Sequence, residues 1–102
     1  MTTRVVNIKS KEHFDIYIGN RVRFHPDKYP QTKWGNPYAP LMKKYGRDKV
    51  VAIYREHILA NPGLMSQLHE LKDKVLGCWC KPEKCHGDVL VELVDKQNLV
   101  GL

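Results

Sequence analysis

Two segments of the chain hold residue types that can do chemistry. The first reads Gly77-Cys78-Trp79-Cys80-Lys81-Pro82-Glu83-Lys84-Cys85-His86-Gly87-Asp88 and contains every cysteine of the chain. Cys78 and Cys80 lie two apart in a stretch that reads as a strand, so their thiols share a face while Trp79 points the other way. Pro82 turns the chain, and Cys85 and His86 arrive just ahead of a helix. Unpaired N–H groups at a helix start carry a positive end-charge, which drives a thiol there toward thiolate; Lys81 and Lys84 push the same way. Three chemistries compete. Cys78, Cys80, Cys85 and His86 are zinc-type ligands, but Cys-x-Cys and an adjacent Cys-His pair depart from the wider spacing of zinc sites, so no metal or other cofactor is favoured. Cys85 as nucleophile, with His86 beside it as general acid–base, is the second. The third makes no bonds. Cys78 is then a small core residue, and Cys85, His86 and Asp88 shape the turn or bind an anion at the helix start.

The second segment is Thr32-Lys33-Trp34-Gly35-Asn36-Pro37-Tyr38. Each type has a use at a nucleotide: lysine for phosphate, tryptophan for base stacking, asparagine for a base edge or ribose, glycine for close backbone approach. The competing reading makes Trp34 a plug in the core, with Lys33 and Asn36 left near the surface. His13, His25, His57 and His69 show no ligand spacing, and His57 reads as a half-buried helix residue.

Charge singles out the same region. Residues 19–49 hold eight basic side chains against two acidic ones, whereas the rest of the chain balances nine against nine, so the whole excess of +6 sits in one stretch. A localised basic stretch concentrates anions, whether nucleic acid, nucleotide or phosphate. The bland alternative is a solvated basic surface.

These segments need elements to position them. Arg4–Ile8 and Phe14–Ile18 are short, β-branched or aromatic, and read as strands; Gly19 ends the second. An irregular stretch runs from Asn20 to Gly46 through Pro26, Pro30, Pro37 and Pro40. So long a loop in a small domain is functional or disordered, and Phe24, Tyr29, Trp34 and Tyr38 argue against disorder. It has room for a further helical turn or strand. Asp48–Ala60 is the clearest helix, with Val50, Val51, Tyr54, His57 and Ile58 on one stripe and Asp48 as its cap. Asn61-Pro62-Gly63 breaks it. Leu64–Lys72 follows as a shorter helix with Leu64, Leu68 and Leu71 inward. Lys74–Trp79 reads as the innermost strand, apolar on both faces as in a parallel sheet. Asp88–Gln97 closes the chain as a helix burying Val89, Leu90, Leu93 and Val94. The expected fold is α/β, a small single-domain sandwich of three to four mostly parallel strands with about three helices, spanning residues 1–102 around a functional loop at 19–47. Strand-turn-helix at its end places ligands at the carboxyl end of the sheet.

Length and composition agree. A chain of 102 residues with 42% hydrophobic side chains suits one globular domain. No apolar run approaches a membrane span, and the N-terminus lacks a signal-peptide pattern. An odd, tightly spaced set of three cysteines does not suit a secreted disulfide framework. The expected compartment is the cytoplasm, of a cell or of an infected cell.

Tyr17-Ile18-Gly19, Lys33-Trp34-Gly35-Asn36-Pro37-Tyr38 and Leu76-Gly77-Cys78-Trp79-Cys80 with Pro82, Cys85, His86, Gly87 and Asp88 resemble the domain of unknown function family 4326, from about residue 4 to 95. The resemblance implies a small α/β protein of phage or prophage origin and assigns no activity. Its pattern leads us to expect arginine directly after Gly19; Asn20 intervenes here, and Arg21 or Arg23 would have to do that work.

The leading expectation is therefore a small-ligand protein that binds a nucleotide or nucleotide-derived anion between the Lys33–Tyr38 loop and the Cys85–Asp88 helix start. Its ligand-binding residues would be Arg21, Lys33, Trp34, Gly35, Asn36, Tyr38, Cys80, Cys85, His86, Gly87 and Asp88. A phage protein that sequesters a host nucleotide signal is one form of this reading. An enzyme of nucleotide or nucleobase metabolism using Cys85 or His86 is a second. Nucleic-acid binding through residues 19–49 is a third, ranked lower because prolines interrupt the basic residues and no nucleic-acid motif accompanies them.

Overall fold

A computed structural model describes residues 2–25, 27–81 and 83–100, so Pro26 and Pro82 lie outside the described residues. Three strands form one parallel sheet: β1 (Arg4–Asn7), β2 (Ile16–Tyr17) and β3 (Val75–Cys78), in the order β1-β3-β2. The most apolar strand takes the centre, as its sequence requires: a strand paired on both edges and covered on both faces has no polar side to spare. Arg4 stands opposite Val75 on one edge, and Ile16 opposite Leu76 on the other.

Four helices follow in chain order: α1 (Met42–Tyr45), α2 (Arg47–Leu59), α3 (Pro62–Gln67) and α4 (His86–Val100). The long loop does contain the further helical turn, α1, preceded by a 3-10 turn at Ala39–Leu41. Gly46 separates α1 from α2 at φ 83°, a left-handed value that costs glycine little. It therefore takes the N-cap position expected for Asp48, which falls in the first turn of α2 instead. Asn61 breaks the chain as its type suggests and caps α3 by accepting the Leu64 N–H at 3.1 Å. The expected second helix divides into α3 and a 3-10 turn at Leu68–Leu71.

Alternation along the strands sorts two cores. Ile16, Ile18, Leu76 and Cys78 pack with Val51, Tyr54 and Ile58 of α2, with Leu64, Leu68 and Leu71, and with Val89, Leu90, Leu93 and Val94 of α4. A smaller cluster gathers Ile8, Tyr17 and Tyr29, with Phe14, Val22 and Trp79 against it. Helices thus supply the larger core, and the long loop supplies Tyr29 and Val22 to the smaller one. Gly77 lets the Phe14 ring lie on the central strand: a Cβ there would come within 2.8 Å of the ring. No helix among the described residues is long and apolar enough to cross a membrane.

Candidate functional site

Residues just beyond the carboxyl ends of β2 and β3 build the site. After β2 the chain runs Ile18-Gly19-Asn20-Arg21, and the long loop is sewn onto this run by side-chain hydrogen bonds. Thr32 Oγ1 donates to the Gly19 carbonyl at 3.1 Å, and Asn20 Nδ2 donates to the Asn36 carbonyl at 2.9 Å. Gln31 Nε2 donates to Asn20 Oδ1 at 2.9 Å, while its Oε1 accepts the Arg21 N–H at 3.1 Å. Gly35 allows the approach, since a Cβ there would meet Asn20 Oδ1 and Gln31 Nε2 at 2.4 Å. Beneath it Trp34 is 2% exposed, and its carbonyl accepts from the buried Tyr54 hydroxyl at 2.7 Å.

Asn36, 2% exposed, is fixed in orientation: its Oδ1 accepts the Tyr38 N–H at 2.9 Å, so Nδ2 is the free end. That Nδ2 is buried and has no hydrogen-bond partner among the described residues. A buried amide donor left unmade costs about 1–3 kcal/mol, so native proteins rarely leave one without a reason.

The α4 start supplies the opposite side. Cys85 is its N-cap: the Gly87 N–H donates to Cys85 Sγ at 3.3 Å, and Asp88 Oδ2 accepts the Cys85 N–H at 3.1 Å. This is the reciprocal bonding of a capping box, with cysteine and aspartate in the two roles. Asp88 also pairs with Lys81. Gly87 brings the helix onto the sheet, where a Cβ would sit 2.9 Å from Ile18 and Val5 methyl carbons. His86 is 7% exposed, and its Nε2 lies 2.7 Å from the Ile18 carbonyl. A carbonyl only accepts, so Nε2 carries the proton. Burial lowers the His86 pKa, the Ile18 bond opposing it, so the ring is neutral and Nδ1 offers a lone pair.

The three sulfurs meet beside this turn. Cys78 and Cys85, both fully buried, have their Sγ atoms 3.4 Å apart. Hydrogen bonding to Cys78 and Cys80, then burial, raises the Cys85 pKa far above the ordinary thiol value. That direction runs against the thiolate expected at Cys85 from the helix-start charge. Cys80 is pulled down to about 6, first by that Cys85 hydrogen bond and then, against the opposing effect of burial, by the Arg47 guanidinium. Cys78 is drawn down by the same Cys85 bond. Cys78 has no solvent contact. Cys80 is the one of the three that is only half-buried. Arg47 Nη1 also donates to the Lys84 carbonyl at 3.0 Å, which ties the start of α2 to the Cys/His turn.

Between loop and turn lies a cavity of about 240 Å³ lined by Gly19, Asn20, Arg21, Val22, Asn36, Ala39, Met42, Trp79, Cys80 and His86. Of the expected site residues, Arg21, Asn36, Cys80 and His86 come together in its wall. Cys85, Gly87 and Asp88 stand behind as framework, and Gly35 packs against Asn20. Lys33, Trp34 and Tyr38 do not line it. Lys33 pairs with Glu70 at 2.6 Å, Trp34 is the core plug, and the Tyr38 hydroxyl lies 3.4 Å from His57 Nδ1. Arg23 stacks its guanidinium 5.5 Å from the Phe24 ring, outside the lining. Arg47, Asn20 and Trp79 were not among the expected site residues, although Trp79 stands inside the Cys-Trp-Cys motif and Asn20 directly after a strand end. Among the described residues, no group of three or more His, Cys, Asp or Glu side chains is placed to hold a metal ion.

Comparison with known proteins adds relatives without an assigned activity. The family model described as Domain of unknown function (DUF4326) matches residues 4–96. An "Uncharacterized protein R718" of Acanthamoeba polyphaga mimivirus is 32% identical over 90 residues, covering 80% of this chain and 68% of the relative. An "Uncharacterized 12.4 kDa protein in nrdA-td intergenic region" of Enterobacteria phage T4 is 31% identical over 98 residues, covering 91% of this chain and 78% of the relative. No solved structure matches significantly.

Proposed function

The chain belongs to the DUF4326 family, and from that premise we propose that it is a small-ligand protein whose cavity at the carboxyl end of the sheet takes a nucleotide or nucleotide-derived anion. One observation carries the reading. The buried Asn36 Nδ2 has no partner among the described residues, and Asn36 forms part of the cavity wall. A ligand carbonyl or ring nitrogen would supply the missing acceptor.

The rest of the wall narrows the class. Neutral His86 offers an acceptor at Nδ1 where Asn36 offers a donor, and a nucleobase edge presents both complements. Val22, Ala39, Met42 and Trp79 supply apolar surface for a flat ring. Arg21 is exposed and adds a cation for a phosphate. A cavity of about 240 Å³ is at the lower end of small-ligand pockets, which run roughly 300–1,000 Å³. It suits a base with its sugar or phosphate reaching outward. Parallel sheets bind ligands at this end because strand ends and helix starts converge there.

A sequestering protein needs nothing more. An enzyme of nucleotide or nucleobase metabolism is a second reading, supported by the His86 lone pair, which is held by a fixed tautomer beside the Cys80 sulfur. The two separate on whether a bound nucleotide is recovered unchanged.

Calorimetric titration with nucleoside monophosphates tests the proposal. Wild-type protein should bind at least one of them. Asn36→Ala should weaken that binding about tenfold or more, the loss of one buried hydrogen bond. Lys33→Ala should leave it unchanged. Equal affinity in wild type and Asn36→Ala, or no binding by any monophosphate, would count against the cavity as the site.

A further inference from the structure

The stretch of wall at Arg21 and Val22 leads directly into a turn that carries an exposed ring. The Val22 carbonyl accepts the His25 N–H at 3.1 Å, so Arg23 and Phe24 take the two central positions of a β-turn. That turn is held in place. The Val22 N–H donates to the Tyr29 carbonyl and the Tyr29 N–H to the His25 carbonyl, both at 2.9 Å, and Tyr29 is buried in the smaller core. Phe24 is nevertheless 80% exposed, more than any other large hydrophobic side chain among the described residues. Central turn positions favour glycine, proline, asparagine, aspartate and serine, so turn chemistry does not call for a phenylalanine. One exposed apolar side chain is ordinary on a protein surface. What sets this one apart is its company: the Arg23 guanidinium stands 5.5 Å from the ring centroid, and Val22 of the cavity wall lies two residues back.

From the buried end outward, the groups follow an order. Asn36 offers a donor and His86 an acceptor, Arg21 is a cation in the wall, Arg23 is a second cation beyond it, and Phe24 is a ring in solvent. A base, a phosphate, a second phosphate and a second planar ring are their complements in the same order. We propose that the cavity takes a dinucleotide whose two nucleosides are joined through a diphosphate, with the outer base stacked on Phe24. This rests on the nucleotide reading of the cavity and adds an outer subsite to it. Arginine suits such a bridge, because its planar fork pairs with phosphate oxygens while the guanidinium face stays against an aromatic ring. A nucleoside diphosphate supplies both phosphates but has nothing to lay on Phe24. A strand-type dinucleotide, joined by a single phosphodiester, leaves Arg23 without its phosphate.

The test is calorimetric titration of the full chain with three ligands for each common nucleoside: its monophosphate, its diphosphate, and the dinucleoside joined through a diphosphate. The dinucleoside should bind about tenfold tighter than the nucleoside diphosphate, the gain from stacking one further base. Phe24→Ala should remove that gain and leave monophosphate binding unchanged. Arg23→Gln should weaken both diphosphate ligands several-fold and spare the monophosphate. Tyr45, the next most exposed ring, follows Met42 of the wall by three residues, and Tyr45→Ala should keep the gain. Equal affinity for the nucleoside diphosphate and the dinucleoside in the wild type would overturn the outer subsite. So would a gain that survives Phe24→Ala, or a strand-type dinucleotide that binds as tightly as the diphosphate-linked one. In each of those cases monophosphate binding leaves the nucleotide reading standing. Binding of no ligand in the panel would overturn both.

Discussion

A buried amide without a partner among the described residues and a thiol drawn down to about 6 distinguish this cavity from an ordinary surface depression. Both are consequences of packing. Asn20 holds the Asn36 carbonyl and the Tyr38 N–H holds its side-chain oxygen, which leaves Nδ2 without an acceptor among the described residues. Hydrogen bonding with Cys85 and then the Arg47 guanidinium, against burial, draw the Cys80 thiol down to about 6. The groups bearing on that sulfur are Arg47 from α2, Cys85 and Asp88 from the start of α4, and Cys78 from β3. Since the ionised form is the reactive one, alkylation of Cys80 by iodoacetamide should be half-maximal at about pH 6 and flat well above it. A profile still rising at pH 9, with the label on Cys80, would return the charge to the other sulfurs. Asn36, Cys80 and His86 were legible as chemistry from residue type alone. Trp34 and Lys33 were misleading because type does not reveal burial or pairing. A tryptophan beside a lysine reads the same whether it stacks on a ligand or, as here, plugs a core beside a lysine held by Glu70.

At the scale of elements, strand and helix periodicity identified every major segment, because Leu76, Val50, Tyr54, Ile58, Leu90 and Val94 are fully or almost fully buried where the pattern demanded. What the pattern could not give was the start of α4. The sequence suggested Asp88; the helix begins at His86, because Asp88 reaches back to the Cys85 N–H instead of opening the helix itself. That two-residue difference turns His86 from a turn residue into one locked against Ile18. Asp88→Ala should therefore cost about 0.5–1.5 kcal/mol through loss of the hydrogen bond to the Cys85 N–H, measured by urea denaturation. It should also loosen the Cys/His turn, seen as faster labelling of Cys85. Unchanged stability together with unchanged Cys85 protection would mean that the capping interaction holds nothing in place. The loop was the least legible element. Its order depends on Asn20, Gln31 and Thr32 bonding across more than ten residues of sequence, and no local periodicity encodes such contacts.

Taken whole, the molecule carries its excess charge in the segment that holds the loop. Residues 19–49 hold the net +6, and Arg21, Arg23, Lys28, Lys43, Lys44 and Lys49 among them are exposed. Such a field draws anions toward the cavity and also invites nucleic acid. The two uses differ in their dependence on strand length. For a small-ligand site, a short single-stranded oligonucleotide should compete no better than the mononucleotide at moderate salt. Affinity that climbs with strand length and falls steeply with salt would identify a nucleic-acid surface instead. The viral relatives match 80% and 91% of this chain.

Native mass spectrometry of protein purified without added ligand, beside the same sample denatured, tests the central claim most directly. The account predicts an excess mass that departs intact as a nucleotide or nucleotide-derived anion, and that Asn36→Ala purifies without it. A bare native mass in the wild type, unchanged by a nucleotide panel at saturating concentration, would contradict it.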